Sequence, residues 1–460
     1  MTVLLPTPTL REPARRHPTR VGKSYFIRTF GCQMNEHDSE RIAGLFEVDG
    51  MTATDGFESA DVVYVNTCTI RENADNRMYG NLGQLKAIKD LNPDMLLVVG
   101  GCAAQKDRDL VRKRAPWVDV VMGTHNLDRV LDLMDQAEQW GPITEVVDEL
   151  QAMPSSLPVK RELQHSAWVT IQVGCNNTCT FCIVPSVRGV EVSRRPGDIV
   201  REVERLSSDG VVEVTLLGQN VDTYGRDLAL DGRRRPIFGE LLRRVGAVDG
   251  IRRVRFTSPH PNDFREDVAL AMAETEAVCE HLHFPLQSGS DRMLRAMHRG
   301  YNRKKYADRL AMARATIPGL AVTTDIIVGF PGETEDDFAA TLEVVEESRF
   351  DQAFMFIFSP RPGTAAADMT DQFVPHEVIT ERFNRLTELQ NRISGEKNAE
   401  MTGSRVEVLS EGPSRKKPDV ATTRTRTGKV VHVTGHHPEG AFFDVVIESA
   451  HPHHLIGRPI

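Results

Sequence analysis

Apolar runs alternate with amphipathic stretches along the first third of the chain, and this pattern predicts strands that alternate with helices. Three of the runs end in a cysteine: YFIRTFGC, DVVYVNTC and MLLVVGGC. The stretch after the first run, residues 36–46, places Ile42, Leu45 and Phe46 on one face of a helix. Because alternating strands and helices build parallel sheets, the sequence predicts an N-terminal α/β domain with a parallel sheet over residues 24–140.

A second alternating series contains six strand-like segments: WVTIQVG, VEVTLLGQN, VRFTSPH, LHFPLQSGS, VTTDIIVGFPG and AFMFIFSPRPG. Helical stretches separate them, such as residues 196–210, where Pro196 suits a helix start and Gly210 a helix stop. An amphipathic segment over residues 376–396 is typical of one further helix. Six β/α repeats predict a partial (β/α)6 barrel over residues 165–397.

The remaining segments lack this alternation. Residues 1–23 combine arginines and prolines without a long apolar core, which predicts a disordered tail. Prolines and serines near residue 155 predict a linker over residues 141–164. Over residues 400–460, short β-like runs alternate with turns, which predicts a small all-β barrel.

The composition is that of an ordinary globular protein, with 460 residues of which 40% are hydrophobic and 26% charged. A net charge of −9 does not favour general binding of nucleic acid, so such a role depends on local basic patches. One basic cluster lies within fifteen positions of the C-terminal segment: Arg415, Lys416, Lys417, Arg424, Arg426 and Lys429. It is either a solvated surface or a binding face for an anionic polymer.

The location of the protein is predicted from what the sequence lacks. Its apolar runs are too short to span a membrane, so we expect no membrane partner. Seven cysteines in a chain of this length, without a secretion signal, indicate a reducing cytoplasm and metal ligation rather than disulfides.

Cys175, Cys179 and Cys182 are spaced Cys-x3-Cys-x2-Cys in the stretch GCNNTCTFCIV. Three thiolates on one loop suit three irons of a 4Fe–4S cluster, and without a fourth cysteine nearby one iron stays open for a ligand. This spacing resembles that of the radical S-adenosylmethionine (SAM) enzymes, whose open iron chelates SAM before reductive cleavage to a 5′-deoxyadenosyl radical. The alternatives are a zinc site, for which His165 is the nearest fourth ligand, or three buried structural thiols.

Cys32, Cys68 and Cys102 each follow one of the first three strand-like runs, 36 and 34 residues apart. Ligands gather at the carboxyl ends of parallel strands, so these cysteines are predicted to converge on a second three-ligand cluster site. The alternative is three unrelated buried cysteines, since cysteine is among the most buried residues. Cys279 stands alone and is predicted to lie in the core.

Polar residues stand at the ends of the strand-like segments in the second series. If the six strands form a barrel, these residues line its C-terminal mouth, where a SAM pocket is expected. Each of them is equally well explained as an ordinary cap or turn residue. They are Gln219, Asn220, Ser258, His260, Gln287, Ser288 and Asp325.

Longer motifs resemble the methylthiotransferase family across residues 24–460. TFGCQMNEHDSERIAG, around Cys32, is similar to the MiaB type of that family, whereas the two other branches have GCPKN or GCKVN here. Further stretches match the same type: LLGQNVDTYG, FPLQSGSDRMLRAMHRGY, DIIVGFPGETEDDF and SPRPGT. The departures leave every cysteine in place; they are Val173 for Glu, Asp222 and Thr223 for Asn-Ser, Ser186 and Val187 for a bulkier pair, and Gly428 and Lys429 for Asn-Arg.

The resemblance implies three domains, the last a TRAM RNA-binding domain over residues 400–460. It implies two 4Fe–4S clusters, one on each cysteine triad, and SAM as the other cofactor. The implied reaction adds a methylthio group to carbon 2 of N6-isopentenyladenosine beside the anticodon of tRNA, at position 37. A radical is needed because that carbon–hydrogen bond is inert to acid–base chemistry.

Further expectations follow from the same resemblance. Phe181 is expected to pack near the adenine of SAM, and Asn35 and Asn66, which flank cluster ligands, are expected to tune the irons. The implied partners are tRNA carrying isopentenyladenosine, SAM, a sulfur source and a low-potential electron donor such as a flavodoxin or ferredoxin.

Two alternative functions stay open at this point. The first is methylthiolation of a ribosomal protein side chain, against which the sequence after Cys32 counts. The second belongs to another class: an RNA-binding protein whose clusters are structural or redox-sensing. It predicts salt-dependent affinity for tRNA without cleavage of SAM.

Overall fold

The structure is a computed structural model that describes residues 18–69, 72–148, 157–229 and 232–460. Its contacts divide the chain into two units. Unit 1 runs to Glu162 and also takes in Val184–Val192, whereas unit 2 comprises Leu163–Ile183 and Ser193–Ile460. No helix among the described residues is long and apolar enough to cross a membrane.

Unit 1 is built on a sheet in which all the paired strands are parallel. The strands are β1 (Ser24–Thr29), β2 (Thr52–Ala53), β3 (Val62–Thr67), β4 (Leu96–Gly101), β5 (Val120–Met122) and β6 (Ile143–Glu145). Their order in space is β2-β1-β3-β4-β5-β6, so the direction in which strands are added reverses between β1 and β3. In open α/β sheets such a reversal forms a crevice at the carboxyl ends of the strands, where ligands bind.

Helices bury both faces of this sheet. They are α1 (Gln33–Val48), α2 (Glu72–Leu91), α3 (Cys102–Asp107), α4 (Asp109–Arg114), α5 (Val130–Trp140) and α6 (Val184–Arg188). Tyr64 of β3 packs in one apolar cluster with Phe46 of α1 and Leu133 of α5. Neighbouring residues of a strand point to opposite faces of the sheet. The adjacent Val65 accordingly packs in a second cluster, with Leu82 of α2. Burial on both faces explains the unbroken apolar run of β3.

Unit 2 begins with parallel strands separated by helices. The strands, with the two-residue pieces between them, are β7 (Ser166–Thr170), β8 (Gln172–Val173), β9 (Val192–Ser193), β10 (Glu213–Leu217), β11 (Arg253–Phe256), β12 (His281–His283), β13 (Ala321–Val328) and β14 (Gln352–Ile357). Six of them form two parallel sheets, in the orders β11-β10-β7 and β12-β13-β14. A backbone bridge between Val254 and Val278 connects the first sheet to the segment that leads into β12. The arrangement is a partial barrel.

Two helices of unit 2 were predicted with bounds, and they begin at the expected residues, 196 and 376. The helices of unit 2 are α7 (Pro196–Ser208), α8 (Phe238–Gly246), α9 (Glu266–Glu274), α10 (Asp291–Ala296), α11 (Arg303–Thr316), α12 (Glu335–Ser348) and α13 (His376–Ala399). Pro196 opens α7, and Gly210 follows its end with φ of 90°. Short 3₁₀ helices lie at Phe57–Ser59, Leu127–Arg129, Val221–Thr223, Ala365–Asp368 and Thr370–Gln372.

A closed barrel of five strands ends the chain, in the order β15-β16-β17-β19-β18. The strands are β15 (Arg405–Pro413), β16 (Val420–Thr425), β17 (Val430–Thr434), β18 (Phe442–Ala450) and β19 (Leu455–Pro459). Val408, Val431 and Val445 fill its interior. Because the barrel is closed, it has no unpaired strand edge at which another chain could add a strand.

The turn between β16 and β17 is held against the N-terminal ends of the larger barrel's strands. Arg255 of β11 donates to the carbonyls of Arg426 and Thr425 at 2.8 and 2.9 Å, and the neighbouring Arg253 donates to the carbonyl of Arg424 at 2.7 Å. Lys429 pairs with Asp351 at 2.9 Å. These contacts attach the small barrel at the end of the strands opposite to their carboxyl ends.

The predicted fold class is confirmed: an N-terminal parallel sheet, a partial barrel and a small closed β-barrel. Two segment predictions differ from the structure. Of the predicted tail, residues 1–17 lie outside the described residues, but Arg20 is 3% exposed and pairs with Asp49 at 2.9 Å. Within the predicted linker, residues 149–156 lie outside the described residues, whereas Ile143–Glu145 form β6 because they pair in register with β5.

Candidate active site

The first three cysteines lie at matching positions beyond three adjacent strands. Thr29 of β1 pairs with Asn66 of β3, and Asn66 pairs with Gly100 of β4. Cys68 and Cys102 each stand two residues beyond this level, and Cys32 stands three residues beyond it. The strand pairing therefore brings all three cysteines to one edge of the sheet, beside the reversal between β1 and β3.

Two of these cysteines are almost fully buried, and a glycine with no room for a side chain precedes one of them. Cys68 and Cys102 are each 1% exposed. Gly101, with φ of 92°, turns the chain from β4 directly into α3. A Cβ on Gly101 would lie 2.5 Å from the carbonyl oxygen of Thr67 and would also meet Asn66. A side chain there is excluded by both conformation and space.

Asn35 and Asn66 form a closed hydrogen-bonded pair behind the first triad. Both side chains are fully buried. Asn35 Nδ2 donates to Asn66 Oδ1 and to the carbonyl of Thr67, each at 2.9 Å. Asn66 Nδ2 donates in return to the carbonyl of Asn35 at 2.7 Å. Asn35 Oδ1 lies 3.6 Å from the sulfur of Cys32, so the pair fixes the backbone on which two of the cysteines stand.

A buried arginine also faces this triad. Burial raises the pKa of the Cys102 thiol to about 11, although Arg188 acts in the opposite direction through its charge and a side-chain hydrogen bond. Arg188 is 4% exposed, and its Nη2 lies 2.8 Å from Asp38. Bound iron favours the thiolate over the thiol, and a cation at this point stabilises it.

The second triad stands on a single loop that follows β8. The amide of Cys182 donates to the carbonyl of Cys179 at 3.1 Å, which curls the loop into a turn. Gln219, at the end of β10, accepts a hydrogen bond from the amide of Gly174 at 2.6 Å. All three loop cysteines are partly exposed, so this triad is open to a ligand.

Residues of the loop fasten it to the second half of the barrel. The hydroxyl of Thr180 donates to the carbonyl of Ala296 at 2.9 Å, and its amide donates to the carbonyl of Met297. Phe181 meets Phe330 edge to face, with ring centroids 6.4 Å apart. The loop is thus held at several points and is preorganised for cluster binding.

Arg299 contacts the loop triad directly. Its Nη1 donates to the sulfur of Cys179 at 3.2 Å, and its Nε donates to the hydroxyl of Tyr301 at 3.1 Å. Burial alone would lower the pKa of Arg299, but Tyr301 and Cys179 raise it, so the guanidinium stays charged. A charged donor to a ligand sulfur stabilises the electron-rich thiolate.

The structure brings some of the predicted SAM residues together. Gln219 lies against the cysteine loop, as its contact with Gly174 establishes. Asp325, on β13, lies 3.2 Å from His283 on β12. Gln287 adopts a left-handed backbone with φ of 68°, and its amide donates to the carbonyl of Asp325 at 2.8 Å. Gln287 and Asp325 thus lie together on β13 and the segment after β12, whereas Gln219 follows β10 of the other sheet.

Other predicted SAM residues are engaged elsewhere. The hydroxyl of Ser288 is fully buried and lies 3.3 Å from that of Thr341 on α12, so it faces the helices. Asn220 is fully buried and donates to Asp263 at 2.9 Å. His260 is also buried, which together with Arg299 and Lys305 lowers its pKa far below the usual value. The roles of these residues in SAM binding stay predictions.

Sequence reasoning missed a group of side chains on the inner face of β12, β13 and β14. Strand register places Asp325 beside Phe354, and Ile327 beside Phe356. The rings of Phe354 and Phe356 are 45% and 42% exposed, although phenylalanine is usually buried. Their alternation with buried Ala353 was visible in the sequence, but only the register shows that they share a face with Asp325.

Two family descriptions match parts of the chain. Residues 24–123 match the uncharacterized protein family UPF0004, and residues 169–345 match the Radical SAM superfamily. A relative from Mycobacterium bovis, named tRNA-2-methylthio-N(6)-dimethylallyladenosine synthase, is 55% identical over 96% of this chain and 88% of its own. The chain belongs to this synthase family. A synthase of the same name from Saccharopolyspora erythraea is 53% identical over 94% of this chain and 89% of its own.

A solved structure supports the synthase fold independently. The radical S-adenosylmethionine methyltransferase TsrM from Kitasatospora setae has a TM-score of 0.54 over 75% of each chain at 13% identity. At this identity the likeness concerns the fold alone. The family resemblance stated from the sequence is confirmed, and the relatives do not support the ribosomal-protein alternative.

The synthase family implies two 4Fe–4S clusters and SAM. Each triad fits a cluster by the chemistry of its donors, because it supplies three cysteine sulfurs, either from adjacent strand ends or from one loop. In an iron–sulfur cube each cysteine binds a different iron, so three cysteines leave one iron open.

The basic cluster of the synthase's C-terminal barrel divides into two parts. Three of its residues are held in ion pairs: Arg426 with Glu280 at 2.8 Å and Lys429 with Asp351 at 2.9 Å, which attach the small barrel, and Arg424 with Glu411 at 2.6 Å. Arg415, Lys416 and Lys417, in contrast, are exposed and form no ion pair with any described residue. Only this second part presents free positive charge.

Proposed function

We propose that this chain is a radical SAM methylthiotransferase that adds a methylthio group to carbon 2 of N6-isopentenyladenosine at position 37 of tRNA, beside the anticodon. The observation that carries the proposal is the pair of cysteine triads, each at the carboxyl ends of a parallel sheet. The loop triad would generate the radical and the first triad would supply sulfur, so the reaction requires both triads. The match to synthases over nearly the whole chain supports the same conclusion.

Cys175, Cys179 and Cys182 would hold the cluster that cleaves SAM. With SAM bound, that cluster supplies a carbon radical that can take the hydrogen from carbon 2, which no acid or base in the site could remove. The chain's own part is to hold this loop in place: Gln219 binds the backbone at Gly174, and Arg299 donates to the sulfur of Cys179. Preorganised contacts of this kind avoid reorganisation during the reaction.

Cys32, Cys68 and Cys102 would hold the second cluster, which supplies sulfur when bound. The enclosure of Cys68 and Cys102 keeps water from their sulfurs, while the more exposed Cys32 leaves an approach. The Asn35–Asn66 pair joins the two segments that carry Cys32 and Cys68. A second SAM would provide the methyl group.

The inner face of the barrel offers an apolar surface that suits an isopentenylated base. Phe354 and Phe356 present exposed rings there, and His283 meets Phe354 edge to face with centroids 5.8 Å apart. An adenine stacks on such rings, and the isopentenyl group adds apolar area to bury. We assign this face to the substrate base, with SAM toward Asp325 and Gln287.

The exposed basic turn of the small barrel would bind the tRNA backbone. Each phosphate neutralised by Arg415, Lys416 or Lys417 releases counterions, so the affinity should depend on salt. Replacing all three with alanine should weaken tRNA binding and lower the slope of log affinity against log salt by about two to three. Filter binding at several salt concentrations measures both. A triple alanine variant at exposed Lys86, Arg201 and Lys304 is the control, and equal losses in the two variants would contradict the assignment.

The remaining requirements are a low-potential electron donor, such as a flavodoxin or ferredoxin, and a sulfur source that refills the second site. We place the reaction in the cytoplasm, where tRNA is found and where thiols stay reduced.

The decisive experiment is anaerobic. The protein is reconstituted with iron and sulfide and given SAM, reductant and isopentenylated tRNA, and the digested nucleosides are weighed. We expect a methylthio mass gain with release of 5′-deoxyadenosine. Cys175→Ala should abolish SAM cleavage, whereas Cys32→Ala should keep cleavage and stop the mass gain. Normal product from the Cys32→Ala variant would overturn the role of the first triad.

Two other outcomes would redirect the proposal. Deoxyadenosine without modified tRNA would retain the radical chemistry but exclude this substrate. Neither product, from protein that carries both clusters, would favour the RNA-binding alternative.

A further inference from the structure

The segment Val184–Val192 belongs to unit 1, although the residues on both sides of it in sequence belong to unit 2. Several contacts hold it there. The hydroxyl of Thr124, after β5, donates to the carbonyl of Val187 at 2.7 Å. Helix α6 packs against α3, the helix that begins at Cys102. The segment begins two residues after Cys182, so one short stretch of chain carries the loop triad and then continues into unit 1.

Arg188 is the charged residue that this segment contributes. Its side chain is 4% exposed, and that of Asp38, 2.8 Å away, is 5% exposed. A guanidinium has five donors, and Asp38 occupies one side of it. Helix α6, which carries Arg188, packs against α3, and Asp38 lies on α1, the helix that follows Cys32. The charges of Cys102 and Cys32 accordingly act on Arg188 together with that of Asp38.

We propose that Arg188 is a positioning residue for the cluster on Cys32, Cys68 and Cys102, which it stabilises in the reduced form through its buried positive charge. This inference rests on the proposed function only in requiring a cluster at that triad. Hydrogen bonds to ligand sulfurs and nearby charge set the reduction potentials of iron–sulfur clusters. A buried cation favours the reduced, more negative state and so raises the potential, whereas Asp38 opposes it.

The test isolates the cluster of the first triad in the full-length chain. Cys175, Cys179 and Cys182 are replaced with alanine, so that only the first triad can bind iron. Iron is measured per chain, and the midpoint potential is followed by electron paramagnetic resonance during a redox titration. Retention of the four irons of one cluster in this parent establishes the cluster itself. Its absence would contradict the proposed function before any arginine variant is made.

The variants then examine the arginine. Arg188→Met should lower the midpoint potential, Arg188→Lys should lower it less, and Asp38→Asn should raise it. Opposite shifts from two partners of one ion pair would not arise from a general loosening of the fold. An unchanged potential in Arg188→Met would overturn the proposal.

A double variant covers the case in which Arg188→Met leaves Asp38 buried without a counter-charge and the cluster is lost. Asp38→Asn combined with Arg188→Met removes both charges, and we compare it with Asp38→Asn alone. A lower potential in the double variant supports the proposal, and equal potentials overturn it.

Discussion

The two cysteine triads are built in opposite ways. In unit 2, three cysteines within eight residues share one loop, whose shape is set by contacts such as that between Gly174 and Gln219. In unit 1, the cysteines follow three different strands and meet only because β1, β3 and β4 pair in register. A loop can present its ligands through local geometry, whereas the triad in unit 1 exists only in the folded sheet.

The difference extends to solvent and to the supporting residues. All three loop cysteines are partly exposed, whereas Cys68 and Cys102 are almost fully enclosed. Each triad nevertheless has one buried arginine beside it: Arg299 donates to the sulfur of Cys179, and the charge of Arg188 acts on Cys102. The open site suits a cofactor that must enter and leave at each turnover, and the enclosed site suits sulfur that must be protected.

The largest effect should come from breaking the strand register in unit 1. Gly101→Ala places a Cβ 2.5 Å from the carbonyl oxygen of Thr67, at a residue with φ of 92°. We expect loss of the first triad's cluster, so that iron falls from about eight to about four per chain. SAM cleavage should persist while methylthiolation is lost. Iron analysis, deoxyadenosine release and nucleoside mass report these three quantities.

A second glycine variant separates the effect of a steric collision from that of backbone strain. Gly141, also in unit 1, has φ of 87°, and a Cβ there would have no neighbour within 4 Å. Gly141→Ala therefore carries the same conformational strain without the collision, and both clusters should remain. If Gly101→Ala also kept both clusters, the dependence of the first triad on this close approach would be wrong.

The loop triad should respond to its arginine rather than to strand register. In a chain whose Cys32, Cys68 and Cys102 are replaced with alanine, Arg299→Met should slow deoxyadenosine release by about 10- to 100-fold, the usual loss when a ligand's hydrogen-bond partner is removed. Arg299→Lys keeps a positive donor and should recover part of the rate. Arg295→Met, on the exposed side of α10, is the control. Equal rates in the Met variants would show that the contact with Cys179 has no catalytic consequence.

The same contrast explains how far the sequence could be interpreted. The loop triad was evident from spacing, and the strand-end triad from three apolar runs that each end in a cysteine. Both arginines were missed because their partners are distant in sequence: Arg299 is 120 residues from Cys179. Ser288, whose role in SAM binding stays a prediction, follows a left-handed backbone at Gln287, and its hydroxyl lies 3.3 Å from that of Thr341. Strand periodicity cannot reveal such a change of direction.

The basic cluster shows the same limit. Its six residues are equivalent in sequence, but Arg426 and Lys429 are held in ion pairs that attach the small barrel. Only the exposed turn at Arg415, Lys416 and Lys417 keeps its charge available. Composition gives the number of charges, and the fold decides which of them face a partner.

The smallest expected effect concerns two buried acids, one in each unit. Asp38 in unit 1 is paired with Arg188 at 2.8 Å. Asp222 in unit 2 is 1% exposed; its Oδ2 accepts a hydrogen bond from the amide of His260 at 2.7 Å, while its Oδ1 has no hydrogen-bond partner among the described residues. Burial raises the pKa of Asp222 to about 8, despite the contribution of that amide, with Asp263 raising it further. The carboxyl should therefore be protonated at neutral pH, a state similar in shape to the Asn that the family resemblance expects there.

The raised pKa of Asp222 determines whether the stability of the fold rises or falls with pH. Between an ordinary pKa of 3.8 and the folded value of about 8, the folded chain holds a proton that the unfolded chain has released. Stability therefore falls as pH rises through that window, by up to about 1.4 kcal/mol per pH unit. Asp222→Asn removes this penalty, so its gain in Tm over the parent should grow from pH 5.5 to pH 8. Asp308→Asn, at an exposed side chain, should show no such growth. An equal gain in Tm for Asp222→Asn at both pH values would mean that Asp222 is ionised in the folded protein. The buried charge of Asp222 would then be stabilised as well as that of Asp38, which pairs with Arg188.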